Sequence, residues 1–284
     1  MTARRYRGTL RRLGMGSLAA LGLLALGGLS TQSVLEHRDV LATPPPGRLV
    51  ATNDTSLHLD CRGPRDAGPT VLLEAGATGW SSTWAWVQPE VAEHARVCAI
   101  DRAGLGWSPA FDGPLDARAH AHRLARALEQ AGERGPFVLA GHSLGGLYIT
   151  AFAKAYPERT AGLVYVDASH PRQWERFPAD FAGNRETFEA FLAALPWLAR
   201  LGVLRATDAL GRNARSLPAD SKRAVDRFAA SPAHLAHSAR EMAAWDASAA
   251  FLTPLPQLGD RPVIALSAAR MEGASDEALS TWHG

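Results

Sequence analysis

Apolar and polar positions change rhythm along this chain. An uncharged apolar run extends from Leu13 to Leu29. After it, short apolar runs alternate with stretches of helical spacing. Leu49–Thr52 and Ser56–Cys61 predict a hairpin around Asn53-Asp54. Val71–Leu73, Arg96–Ile100, the run from Phe137 and Ala161–Val166 predict short buried strands. Leu115–Ala131 predicts a helix with Leu124, Leu128 and Ala131 on one face, and Trp84–Ala92 a helix interrupted by Pro89. Strands alternating with helices in this way build a parallel sheet covered on both faces. From Pro171 to about Pro256 the pattern becomes all-helical. Phe188, Phe191, Leu192, Leu195 and Leu198 recur at helical spacing, with Pro196 as a kink. Ser231-Pro232 forms a cap and first-turn pair ahead of Leu235, Ala239 and Met242. This block reads as a helical cap inserted over the sheet. Its aromatics either pack or line a substrate pocket. Pro262–Ser267 returns to strand.

The stretch Phe137–Ile149 organises the rest. An apolar run enters Gly141-His142-Ser143-Leu144-Gly145, and a helical pattern follows to about Tyr156. A strand, a sharp turn and a helix in that order form a nucleophile elbow, which holds a serine in a strained conformation with its hydroxyl exposed. Side chains at Gly141 and Gly145 would collide where strand and helix meet, and the Leu144 N–H points at the same spot as the hydroxyl. The expectation for the His142 side chain is that it points away.

The ends of the chain raise separate questions. Arg4, Arg5, Arg7, Arg11 and Arg12 precede the apolar run, whose roughly 17 residues reach about 25 Å as a helix. The expectation is a basic cytoplasmic tail over 1–12, a transmembrane anchor or cleaved signal segment over 13–30, and a linker over 31–46 ending in Pro44-Pro45-Pro46-Gly47. The main domain, 47–284, then lies outside the cytoplasm, membrane-anchored or released after cleavage. A formal charge of +2 over 284 residues, with Lys154 and Lys222 the only lysines, forms no basic stripe, so no nucleic-acid partner is expected. No cluster has metal-ligand spacing and no glycine loop is of the phosphate-binding type, so no metal or cofactor is expected. Cys61 and Cys98 are the only cysteines. They are either one disulfide or two small core residues.

Taken together, the Pro44-Pro45-Pro46-Gly47 lead-in, Leu72-Leu73-Glu74-Ala75-Gly76, Asp101-Arg102-Ala103-Gly104, Gly141-His142-Ser143-Leu144-Gly145-Gly146 and Val166-Asp167-Ala168-Ser169-His170-Pro171 resemble the capped, membrane-anchored serine hydrolases of bacteria, of the α/β-hydrolase fold. The resemblance covers about residues 44–270. It implies a doubly wound, mostly parallel sheet with a helical cap over about 171–256. It implies Ser143 as nucleophile, the backbone N–H groups of Leu144 and Ala77 as oxyanion hole, and a small-molecule ester as substrate. It also makes Cys61 and Cys98 neighbours in the sheet, which makes a disulfide possible. The triad acid is placed at Asp167, after the sixth strand; Glu272 and Asp276 lie near the alternative site but out of register. Asp101 is expected to order its own loop, with Arg102 pairing with it or another carboxylate. The family's base is a histidine after an eighth strand. Here Glu277–Gly284 reads as the helix after the seventh strand, His283 stands too close to that strand, and His170, His234 and His237 read as surface or packing residues of the cap. The expectation is a C-terminally shortened member lacking the eighth strand and final helix. Three functions stay open: an esterase, an amide or peptide hydrolase, and a non-catalytic envelope protein that binds a ligand or partner.

Overall fold

The computed structural model describes residues 2–176, 184–214 and 216–268, the side chains of 2–15, 18, 21, 184, 213, 214, 219 and 220 excepted. Seven strands form one sheet: β1 (Arg48–Ala51), β2 (Ser56–Arg62), β3 (Val71–Glu74), β4 (Val97–Asp101), β5 (Phe137–His142), β6 (Thr160–Val166) and β7 (Val263–Leu266). Their spatial order is β1-β2-β4-β3-β5-β6-β7. β1 and β2 are antiparallel, as are β2 and β4; every other pairing is parallel. The period of two separates the inner strands into two faces. Leu72, Cys98, Ile100 and Leu139 join the larger core with Phe152 and Leu147. Leu73, Val97, Ala99 and Ala140 form a second core on the other face with Trp84.

The helices are α1 (Thr2–Ala42), α2 (Val87–Ala92), α3 (Ala117–Ala131), α4 (Gly145–Ala155), α5 (Gln173–Arg176), α6 (Asn184–Arg200), α7 (Val203–Thr207), α8 (Ala219–Phe228), α9 (Pro232–Ala243) and α10 (Trp245–Phe251). The Asp116 carboxylate accepts from Ala119 N–H at 3.0 Å and starts α3. The helix expected over Trp84–Ala92 is two pieces, a 3-10 turn at Ser81–Trp84 and then α2. Pro89 sits in the first turn of α2, where a missing N–H costs nothing. Ser231 caps α9 through its hydroxyl, with Pro232 at the first helical position.

Three expectations need correction or placing. First, residues 31–42, expected in a linker, continue α1 to Ala42. Thr31–Ala42 contains no Gly or Pro, and its polar side chains dock on the cap: Gln32 donates to the Ala230 carbonyl at 2.8 Å, Asp39 pairs with Arg205 at 2.7 Å, and Glu36 accepts from the Ser231 hydroxyl. Pro44 follows and bars continuation. Second, among the described residues no helix is long and apolar enough to cross a membrane. The anchor expected over 13–30 therefore gains no support there. Gly16, Gly22, Gly27 and Gly28 dilute its apolar character, and residues 13–15, 18 and 21 lie outside the described side chains. Third, the helix expected over 277–284, together with Glu272, Asp276 and His283, lies outside the described residues, and so does the expected loss of an eighth strand. Within the sheet, Cys61 and Cys98 are register partners across β2 and β4 and form a disulfide.

Candidate active site

The turn from β5 into α4 carries Ser143. Its φ is 50°, a left-handed conformation that a non-glycine residue keeps only where its surroundings enforce it. Three backbone bonds do so. Ser143 N–H donates to the Val166 carbonyl at 3.1 Å, and its own carbonyl accepts from Gly146 and Ser169 N–H, each at 2.9 Å. The expected glycine contacts are present. A Cβ on Gly141 would stand 2.6 Å from the Gly145 carbonyl oxygen, and one on Gly145 would stand 2.9 Å from that of Ala75. The start of α4 thus lies directly against the chain leaving β3. Leu144 is buried at this start, where helical bonding leaves backbone N–H groups without helical acceptors.

Ser143 opens into a cavity of about 480 Å³ shared with Ala77, Thr78, Trp80, Leu217, Phe228 and His234. Among its described lining residues there is no Asp, Glu, Lys or Arg. One wall is the loop after β3; the opposite wall comes from α8, α9 and the segment before α8. A groove of similar volume, about 490 Å³, lies between Thr43, Arg62, Trp86 and Arg223 and does not reach Ser143.

Asp167 follows β6 with φ 45°. Its N–H donates to the Leu266 carbonyl at 2.7 Å, and its carboxylate accepts from Ala268 N–H at 3.3 Å. It stands beside the elbow but is not among the described residues lining the cavity. His142, expected to point away, lines the cavity next to Ser143. The ring lies against Gly76, where a Cβ would stand 2.9 Å from His142 Nδ1 and 3.1 Å from Ser143 Cβ. Surrounding protein lowers the His142 pKa below its ordinary value, while the Asp167 carboxylate pulls it upward.

Asp101 orders its own loop. Its carboxylate accepts from Ser81 and Trp107 N–H and pairs with His58 at 2.8 Å. Arg102 points the other way and is 2% exposed. It donates to Glu241 at 2.7 and 3.0 Å, and to the carbonyls of Ala75 and Gly76 at 2.7 and 2.9 Å. Glu74, which also pairs with Arg102, holds His120 at 2.6 Å. These carboxylates raise the Arg102 pKa against the lowering effect of burial.

His234, expected as a surface or packing residue, is buried in the cavity wall. Its Nδ1 accepts from Gly106 N–H at 3.0 Å, which leaves Nε2 to donate to the Thr78 carbonyl at 2.9 Å. Burial lowers its pKa to about 4. Sequence spacing carried no sign of this role, since His234 and Thr78 are 156 positions apart. The one local hint was its place in the first turn after the Ser231-Pro232 cap.

Among family models, that of the α/β hydrolase fold matches residues 69–269. The chain belongs to this family. It is 29% identical over 192 residues to an uncharacterised protein of Schizosaccharomyces pombe, covering 58% of this chain and 35% of that one. It is 30% identical over 186 residues to a pimeloyl-[acyl-carrier protein] methyl ester esterase of Sodalis glossinidius, covering 63% of this chain and 60% of that one. The chain thus spans a third to three fifths of the length of these curated relatives. The crystal structure of ALR0039 from Nostoc sp PCC 7120 superposes with a TM-score of 0.68 at 18% identity, over 83% of this chain and 85% of that one, and supports the fold.

Proposed function

We propose that this α/β hydrolase cleaves carboxylic esters of small, largely apolar substrates through a Ser143 acyl-enzyme. The observation that carries the reading is Ser143 held at positive φ in a cavity whose described lining residues include no Asp, Glu, Lys or Arg, facing the loop that contains Ala77. Serine at the elbow supports acyl transfer, because its alkoxide attacks a carbonyl carbon and forms an ester that water can later release.

In this reading the Ser143 hydroxyl adds to the substrate carbonyl and its proton passes to an imidazole base. The backbone N–H groups of Leu144 and Ala77 hold the developing oxyanion, each contributing about 3–4 kcal/mol to lowering the barrier. The alcohol leaves with that proton, and water then attacks the acyl-enzyme. Asp167 is the acid that orients the base. The position at which the family carries its base falls outside the described residues. Trp80, Leu217 and Phe228 shape the apolar site, which favours an uncharged acyl or alcohol group. Similarity to a methyl ester esterase supports ester over amide substrates. The Cys61–Cys98 disulfide supports work outside the cytoplasm, where such bonds persist.

Hydrolysis of p-nitrophenyl acetate and butyrate tests the proposal. Turnover that disappears in Ser143→Ala is the expected result. A wild-type rate equal to buffer, or full turnover in Ser143→Ala, overturns it.

A further inference from the structure

Helix α9 reaches three carbonyls of the loop after β3, that of Thr78 directly and those of Ala75 and Gly76 through Arg102. At its first turn, His234 donates directly to the Thr78 carbonyl at 2.9 Å. Two turns later, Glu241 grips the Arg102 guanidinium with both carboxylate oxygens, and Arg102 passes the contact on to the carbonyls of Ala75 and Gly76. His234 and Glu241, seven residues apart, project from one side of the helix. All the side chains involved are nearly inaccessible: His234 is 3% exposed, and Arg102 and Glu241 are each 2% exposed.

The loop needs such support. Thr78 has φ 58°, and a β-branched residue rarely holds that conformation without external constraint. Within the loop, Gly79 N–H reaches the Gly76 carbonyl at a long 3.2 Å. Arg102 donates to the Ala75 and Gly76 carbonyls and His234 to that of Thr78. The same helix also fixes the 104–113 segment that carries one of these contacts. Gly106 N–H bonds His234, and Arg240 donates to the carbonyls of Phe111, Asp112 and Gly113. A buried charged pair of this kind contributes little net stability but fixes geometry closely.

We propose that α9 sets the position of the oxyanion loop, with Glu241 and His234 as positioning residues that couple the cap to the reaction centre. The cap then does more than cover the substrate. A displacement of α9 shifts residues 75–78, and with them the Ala77 N–H. Geometry at an oxyanion site is exacting: a misplacement of about 1 Å costs on the order of 100-fold in rate. The functional part of this inference rests on the Ser143 reading. The structural part does not.

The test uses the full chain and two variants, Glu241→Gln and His234→Phe, with His234→Gln as a rescue that restores a donor and an acceptor. The first readout is amide hydrogen exchange in peptides spanning residues 76–83, where Gly79, Ser81 and Thr83 N–H are bonded. Exchange there is expected to rise about tenfold in both variants, as loss of one hydrogen bond implies. It should return toward wild type in His234→Gln, while β5 peptides stay unchanged. The second readout is ester hydrolysis, where kcat should fall 10- to 100-fold with KM within threefold of wild type. Unchanged exchange at 76–83 overturns the inference. So does a rise in KM with kcat intact, which would make the cap a binding element alone. If His234→Phe does not fold, Glu241→Gln carries the comparison. A wild-type chain without turnover whose loop still loosens in the variants overturns the hydrolase reading and leaves the positioning role standing.

Discussion

Lowering the pH should destabilise this protein through His234 more than through an ordinary surface histidine. Its ring packs edge-on against Trp80 and beside Phe228, with centroids 5.6 and 5.5 Å away, and Nδ1 is committed as an acceptor from Gly106. A proton on Nδ1 would abolish that bond and bury a charge. Burial dominates and holds the pKa at about 4 against an ordinary 6.5; the Thr78 carbonyl and Asp101 favour the charged ring, and Arg102 and His237 oppose it. In the unfolded chain the ring takes its proton near 6.5, while in the folded chain it waits until about 4. The unfolded state therefore binds more protons between those values. The stability associated with His234 is complete above pH 6.5, declines as pH falls and is lost by about pH 4. At about 1.4 kcal/mol per unit, roughly 2.5 units amount to about 3 kcal/mol. Urea unfolding of wild type and His234→Gln at pH 7.5, 6, 5 and 4 isolates this contribution, because glutamine keeps both hydrogen bonds and does not titrate. Wild type should lose about 3 kcal/mol relative to the variant across that range. Parallel curves would refute the reasoning.

Other perturbations have defined outcomes. Replacing Cys61 and Cys98 by alanine opens a cross-link that spans 37 positions, and urea unfolding should show a loss of about 4 kcal/mol by the chain-entropy estimate. Gly145→Ala drives a methyl into the Glu74 and Ala75 carbonyls, so esterase kcat should fall about 100-fold as the elbow and oxyanion loop separate. Leu210→Trp narrows the cavity, and kcat/KM for a hexanoate ester should drop about tenfold more than for the acetate.

Periodicity made most of the sheet legible. Val71–Leu73 and Arg96–Ile100 are short runs buried on both faces, and they appear as β3 and β4 within one residue of the expected bounds. The elbow was readable because Gly141, Ser143 and Gly145 each answer a local steric demand. What escaped the sequence depends on distance. Thr31–Ala42 reads as a linker until Gln32, Glu36 and Asp39 find partners on the cap, and those partners lie more than 160 positions away. His234 and Glu241 look like ordinary polar residues on an amphipathic helix. Only the fold brings them to Thr78 and Arg102. The His142 side chain, expected to point away, lines the cavity beside Ser143, at a turn where Ser143 takes φ 50°.

Covalent labelling is the most direct measurement of the central claim. The full chain, treated with a fluorophosphonate ester and digested, should carry one phosphonyl group, on Ser143 in the peptide that joins β5 to α4. Ser143→Ala should carry none. An unlabelled wild-type chain, or a label on any other residue, would contradict the account.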